Sequence, residues 1–290
     1  MTPNTLQYKV KLTVLRAKHM GMCFGVRDAI NMANRVARVR PLTILGELVH
    51  NPKVLGDLKG QGVQFEDKPE AVQTEVAMIT AHGASARSRA SARQEGLQLR
   101  DATCPLVHFA HKQVRELEEA GYHPVIIGRH GHVEVRGLIE DLAQVDVVIS
   151  QRDIDLLECK PRFGVLAQTT QPIAHVRELT EYLQARFPES EVQFADTVCQ
   201  PTKQRQSAAE ELARKSDVVL VVGGANSNNT RELCKTCAKY CDRVHHVQGP
   251  GDIRIDWLMD VNTLGITAGT STPDEQIDAV ENKVHHMLDQ

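Results

Sequence analysis

One arrangement occurs three times along this 290-residue chain and limits what it can fold into: a short apolar run, a cysteine, then a helical pattern. "RAKHMGMCFGV" puts Cys23 in that place, "QLRDATCPLV" puts Cys104 there, and "QFADTVCQPT" puts Cys199 there. Pro105 and Pro201 suit the first turn of a helix, where a missing N–H costs nothing. Each thiol therefore stands at a helix N-terminus, where unpaired N–H groups and the helix dipole favour the thiolate.

The downstream features repeat as well. A polar strand tip follows the three cysteines at 27, 28 and 28 residues, carrying His50, His132 and Ser227. A second tip follows at 59, 65 and 72 residues, carrying His82, Thr169 and Ser271, a drift that loop insertions produce. Between the tips, strand-sized runs such as Leu42–Leu45, Val76–Ile79, Val125–Ile127 and Val218–Val222 alternate with helical spacings such as Val107, Ala110, Val114 and Leu117. That alternation predicts βαβ units with parallel sheets. The expected organisation is three related α/β modules, 25–104, 105–196 and 197–290, the last completed by 1–24. Open parallel sheets bind ligands at the carboxyl ends of their strands, so the six tips and three thiols can converge on one site.

Composition narrows the partners. With 41% hydrophobic and 24% charged residues the chain has the make-up of a globular α/β protein. A net charge of −3 gives no electrostatic case for nucleic acid or an anionic membrane surface. The longest apolar runs are strand-sized, so no transmembrane helix is expected. "MTPNTLQYKVKLTVLRAKH" has neither the h-region of a signal peptide nor the bias of a transit peptide, and a cytoplasmic location is the expectation. In that compartment seven cysteines are core residues, metal ligands or redox groups rather than a disulfide framework.

A single cysteine at a strand–helix junction is ordinarily a small buried hydrophobe. Three, each with polar tips at matching offsets, suit an iron–sulfur cluster with one iron open to substrate, where Lewis acidity and electron delivery coincide. Zinc accepts three thiolates too, without redox chemistry. Cys234, Cys237 and Cys241 share one helical face, which a core stripe explains as well as a metal role does; Cys159 stands alone. "RHGHVEVRG" offers His130, His132 and Glu134 as a zinc half-site on an extended segment, as a solvated loop, or as a strand tip where a partly buried Glu134 donates a proton. Hydroxyls, amides and imidazoles at the tips (Ser227, Asn228, Asn229, Ser271, His50, His82) can cradle a phosphate or diphosphate with helix N-terminal N–H groups, without Lys or Arg. Each is weak alone, because Ser and Asn cap helices as a matter of course.

Taken together, "GMCFGV", "ELVHN", "AHG", "DATCPLV", "GHVEV", "QTT", "CQPTKQRQ", "NSNN" and "TAGTSTPD" resemble the 4-hydroxy-3-methylbut-2-enyl diphosphate reductase family nearly end to end. The resemblance implies three pseudo-repeated modules in a trefoil around a central cluster. It implies Cys23, Cys104 and Cys199 as ligands of one 4Fe–4S cluster with an open iron. His50, His82 and His132, with Ser227, Asn228, Asn229 and Ser271, would hold the diphosphate. Glu134 would head proton delivery beside His132, and Thr169 would bond the substrate hydroxyl. A reduced ferredoxin or flavodoxin would supply electrons, and the reaction would be reductive dehydroxylation to isopentenyl and dimethylallyl diphosphate in the methylerythritol phosphate route. Three positions depart from the family pattern: Asn228 for a second serine, Val133 for a proline, and Arg129 for a histidine. Two other readings share the thiol set: an iron–sulfur hydro-lyase, which moves no net electrons, and a non-catalytic iron–sulfur redox sensor, which needs a partner surface.

Overall fold

The computed structural model describes residues 12–288. Its strands and helices alternate from the start. β1 (Thr13–Arg16) and α1 (Phe24–Ala37) lead into β2 (Leu42–Leu45), α2 (Pro52–Gly60), β3 (Gln64–Glu66), β4 (Val76–Ile79), α3 (Ala86–Gln94) and β5 (Gln98–Asp101). The middle of the chain forms α4 (Pro105–Glu119), β6 (His123–Ile127), α5 (Val133–Ile139), β7 (Asp146–Val148), α6 (Gln151–Asp155), β8 (Arg162–Ala167), α7 (Ile173–Arg186) and β9 (Glu191–Phe194). The remainder supplies α8 (Gln200–Ala213), β10 (Val218–Val222), α9 (Asn228–Ala238), β11 (Val244–Val247), β12 (Thr263–Ala268) and α10 (Asp274–Leu288).

These strands make three four-stranded sheets, ordered β3-β2-β4-β5, β7-β6-β8-β9 and β11-β10-β12-β1, with every pairing parallel. The expected α/β class with three parallel-sheet modules is what the structure has. Position by position the sheets correspond: β2, β6 and β10 are inner strands, β4, β8 and β12 their inner neighbours, and β5, β9 and β1 the edges. Of the segment 1–24, residues 1–11 lie outside the described residues; β1 from that segment is the edge strand of the third sheet, Thr13 opposite Thr263.

Strand periodicity decides which side chains face which helices. In β10, Val218, Leu220 and Val222 pack toward Ile277, Val280 and Val284 of α10, while Val219 and Val221 pack toward Ala209, Leu212 and Leu233 of α8 and α9. All five are fully buried, each contributing roughly 1.5–3 kcal/mol of transfer free energy. β6 and β8 divide the same way: Val125, Ile127 and Val165 join Val176 and Leu179 of α7, and Ile126 and Leu166 join Ala110, Val114 and Leu117 of α4. In the first sheet Leu42, Ile44 and Met78 lie on Ala29 and Ala33 of α1. Coating both faces of a sheet leaves the strand ends as the place for a site. Among the described residues no helix is long and apolar enough to cross a membrane.

Candidate active site

Each proposed ligand cysteine follows an edge strand and is the N-cap of the next helix: Cys23 for α1, Cys104 for α4, Cys199 for α8. Pro105 and Pro201 occupy the first turns, as their fixed φ allows. The backbone N–H of each cysteine donates to the tip of the neighbouring inner strand: Cys23 to the Thr270 carbonyl at 3.0 Å, Cys104 to Ala81 at 3.1 Å, and Cys199 to Thr169 at 3.0 Å. One hydrogen bond per sheet thus fixes a thiol beside Ser271, His82 or Thr169, the second polar tips read from the sequence.

The three thiols approach one another. A Cβ on Gly25 would lie 2.4 Å from Cys104 Sγ, so only glycine lets the start of α1 press against that sulfur. Charge on Cys23 acts on both Cys104 and Cys199, and so does charge on Glu134. All seven cysteines are free of disulfides. Burial pushes the Cys104 thiol up, and pushes that of Cys199 up to about 11, against the hydrogen bonds from Thr202. At Cys104 and Cys199 this corrects the expectation that the helix mouths favour thiolates. At those two the dipole and N–H groups act in that direction, but desolvation is larger, so a metal must displace their protons to bind. Among the described residues no three His, Cys, Asp or Glu side chains close around a single-ion position. Soft thiols of this kind suit iron–sulfur or zinc binding by their ligand chemistry.

On the other side of the site, three imidazoles from two modules come together. The His50 and His82 rings stack with centroids 4.3 Å apart; His132 stands edge-on to them at 5.2 Å and 5.7 Å. His50 Nδ1 pairs with Glu47 Oε2 at 2.7 Å, and His132, the N-cap of α5, takes the Glu134 N–H on Nδ1 at 3.1 Å. His50 Nε2, His82 Nδ1 and Asn229 Nδ2 are buried without a protein partner. Polar atoms buried that way are costly unless something completes them, and an anionic group suits three imidazole and amide nitrogens. Burial, then the neighbouring His50 charge, holds His132 down to about 3 and His82 well below its ordinary value, so these rings are neutral without a bound anion.

The third module closes this pocket. Ser227 caps α9 and accepts the Thr230 N–H at 3.3 Å, leaving the first N–H groups of the helix, those of Asn228 and Asn229, facing outward from its mouth. Ser271 Oγ donates to the His50 carbonyl at 3.2 Å, and Asn229 Oδ1 accepts the Thr270 N–H at 3.0 Å. Asn228 turns its amide to Thr170 Oγ1 at 3.0 Å, joining the second and third modules. Gly224 meets the His50 carbonyl so closely that a Cβ there would lie 2.3 Å from it. All seven tip residues therefore belong to one region, with Asn228 engaged across a module boundary.

Glu134 lies in the first turn of α5, only 2% exposed, with Oε1 accepting the Thr169 N–H at 2.6 Å. Burial raises its carboxyl to about 7, opposed by the bonds to Thr169. The half-site reading of His130, His132 and Glu134 fails, because the segment is a turn entering a helix rather than an extended strand. His130 is exposed and pairs with the Val147 carbonyl at 2.9 Å, away from the other two. Cys234 and Cys237 lie on α9 and Cys241 just beyond it, packed with Leu233, Ala209 and Val219; burial pushes Cys237 up to about 12. They are a core stripe. Cys159 is exposed, its Sγ 3.9 Å from Ser190 Oγ.

Two residues had no role in the sequence reading. Thr202 Oγ1 lies 3.0 Å from Cys199 Sγ, one turn into α8. Arg205, one turn further, is buried and bonds the loop before Cys23. The first could have been found as a hydroxyl three residues past an N-cap; a buried arginine leaves no such mark in a sequence.

With this geometry in hand, the comparisons with known proteins are direct. The family model described as LytB protein matches residues 14–285. The 4-hydroxy-3-methylbut-2-enyl diphosphate reductase of Pelobacter propionicus is 37% identical over 275 residues, covering 94% of this chain and 98% of that one. The enzyme of the same name from Caldanaerobacter subterraneus subsp. tengcongensis is 35% identical, covering 95% and 98%. Among solved structures, the E-1-hydroxy-2-methyl-but-2-enyl-4-diphosphate reductase of Plasmodium falciparum superposes with a TM-score of 0.88 at 26% identity, over 93% of this chain and 87% of that one. A second structure, of an (E)-4-hydroxy-3-methyl-but-2-enyl diphosphate reductase described as the terminal enzyme of the non-mevalonate pathway, gives 0.67 at 31% identity, covering 95% and 100%.

Proposed function

The chain belongs to the LytB family, and from that premise we propose how its residues divide the work of removing the hydroxyl of 4-hydroxy-3-methylbut-2-enyl diphosphate. Substrate, two electrons and two protons give water and either isopentenyl or dimethylallyl diphosphate. The observation that carries the division of labour is the meeting of three imidazoles, three helix-capping thiols and one buried carboxyl at the strand ends of three sheets.

Cys23, Cys104 and Cys199 would hold one 4Fe–4S cluster, with one iron lacking a protein ligand. Bound there, the cluster supplies electrons singly and Lewis acidity at the substrate oxygen. A reduced ferredoxin or flavodoxin supplies those electrons. The seven free cysteines suit a reducing compartment, and we place the reaction in the cytoplasm.

His50 and His82 bind the diphosphate with the ring nitrogens that lack a protein partner, and His132 with Nε2, its Nδ1 being taken by the Glu134 N–H. Ser227 and Asn229 add donors, as does Ser271 once its one O–H turns from the His50 carbonyl to the phosphate, and the mouth of α9, with the Asn228 N–H, adds its dipole. Asn228 holds Thr170 with its side chain, which sets the α9 mouth against the loop that carries Thr169. Thr169 positions the allylic hydroxyl next to Glu134, to which it is already bonded. Glu134, poised near neutral pH, gives its proton to the departing oxygen. Protonation of the carbon skeleton at either end then sets the isomer released. Val133 and Arg129 leave this set intact: Val133 starts α5, and Arg129 bonds Gln168 through its backbone N–H.

Anaerobic turnover with a reduced one-electron donor tests the reading. Two electrons consumed per substrate, with both isomers formed, is the expected result. Loss of water without electron consumption would mark a hydro-lyase, and no turnover with a loaded cluster would mark a sensor; either overturns the proposal.

A further inference from the structure

Arg205 is a buried cation that bonds no carboxylate among the described residues. It lies in α8 at 7% exposure, two turns past Cys199. Its Nε and Nη2 both donate to the Gly21 carbonyl, at 3.0 and 2.7 Å, and Nη1 donates to the Pro201 carbonyl at 3.1 Å. Gly21 is two residues before Cys23 and Pro201 two after Cys199, so one guanidinium ties together the loops of two thiols. All three bonds go to neutral carbonyls. Burial draws the guanidinium pKa down, and the charges that draw it up are those of Cys23 and Cys199.

A guanidinium keeps its proton under any ordinary condition, and a buried charge with no anion is costly. The anion it lacks is the one that metal loading creates, when the thiols become thiolates. Each electron added to a cluster held there makes the group more negative, and a fixed cation nearby stabilises the reduced form more than the oxidised one.

We propose that Arg205 is the counter-charge of the thiolate set, a positioning residue that raises the reduction potential of the cluster held by Cys23, Cys104 and Cys199. The role rests on the ligand assignment of the preceding section. It is separable from a merely structural tie, because lysine keeps the charge while losing the planar fork that grips Gly21 twice.

The test compares wild type, Arg205→Lys and Arg205→Gln, purified anaerobically, first by iron and sulfide counts and then by a redox titration followed by electron paramagnetic resonance. Arg205→Gln is expected to shift the one-electron equilibrium toward the oxidised cluster by about three- to tenfold, tenfold being about 59 mV. Arg205→Lys is expected to stay within about twofold of wild type on the same scale. Loss of the cluster from the Gln variant, with the Lys variant loaded at wild-type potential, supports the role equally. An unmoved potential in the Gln variant overturns it, as does the same shift, or loss of the cluster, in both variants. A loaded wild type with an unmoved Gln variant overturns this role alone; a wild type without iron and sulfide overturns the ligand assignment as well.

Discussion

The carboxylate of Glu134 accepts the Thr169 N–H at 2.6 Å, and the Thr169 carbonyl accepts the Cys199 N–H at 3.0 Å. One peptide residue therefore holds a proton source on one side and a proposed cluster ligand on the other. The carboxyl, the thiol and the hydroxyl that orients substrate cannot drift apart without breaking the end of β8.

The first prediction concerns that carboxyl as an acid. Glu134→Gln keeps the shape and can still accept the Thr169 N–H, so substrate affinity is expected to change little. Turnover is expected to fall by about 10²–10⁴-fold, the usual contribution of a positioned acid. In wild type, kcat is expected to decline as pH rises through about 7, where the carboxyl loses its proton. Steady-state kinetics against pH checks both, and near-normal turnover in the variant would remove Glu134 from the role.

The same raised carboxyl makes a stability prediction. Its folded value of about 7 lies above the ordinary 4.5, so the folded state holds a proton that the unfolded state has released between those pH values. Its contribution to stability is present below about 4.5 and is lost as pH rises through about 7. Metal-free Glu134→Gln lacks that loss. Urea unfolding is expected to find the variant no more stable than wild type at pH 5, and more stable by up to about 3 kcal/mol at pH 8.5. A difference independent of pH would contradict the burial of an ionisable Glu134.

For the imidazole pocket, His82→Leu removes one unpartnered ring nitrogen and one wall of the stacked pair. A hydrogen bond to a charged phosphate oxygen is worth about 1.5–3 kcal/mol, so diphosphate binding is expected to weaken by about 10–100-fold. Calorimetry with inorganic diphosphate measures it, and unchanged affinity would take His82 out of the pocket.

Gly224→Ala tests the closure of the third module on the first. Its Cβ would lie 2.3 Å from the His50 carbonyl, and a backbone atom cannot move aside as a side-chain tip can. The substitution is expected to cost about 1–3 kcal/mol of stability and to raise KM by displacing His50. Thermal unfolding together with KM reads the two effects; a neutral substitution would mean that the modules do not press together there.

Much of this was legible in the sequence, and the exceptions have physical causes. β10 is visible because five consecutive apolar residues are what a strand buried on both faces requires. The tips were found by repetition: equivalent strands in three sheets end at equivalent offsets, so His50, His132 and Ser227 reported one another. β3 was missed because "QFE" is a three-residue edge strand with no apolar run to mark it. The spacing of His130, His132 and Glu134 admitted three readings until the backbone turned at Gly131 and sent His130 outward. The equilibrium at Cys104 and Cys199 departs from the sequence expectation because a sequence displays the helix dipole through its capping pattern but not the depth of burial that outweighs it. Arg205 was invisible for the same reason: an arginine on a helix reads as a surface residue until its neighbours are known.

The measurement that tests the account most directly is iron and acid-labile sulfide content after oxygen-free purification, for wild type and for Cys23→Ser, Cys104→Ser, Cys199→Ser and Cys234→Ser. The account predicts about four of each per wild-type chain. It predicts the same for Cys234→Ser, whose thiol lies in the core stripe, and a lost or unstable cluster in each of the other three. Zinc in place of iron, or a full and stable cluster in any of the three ligand variants, would contradict it.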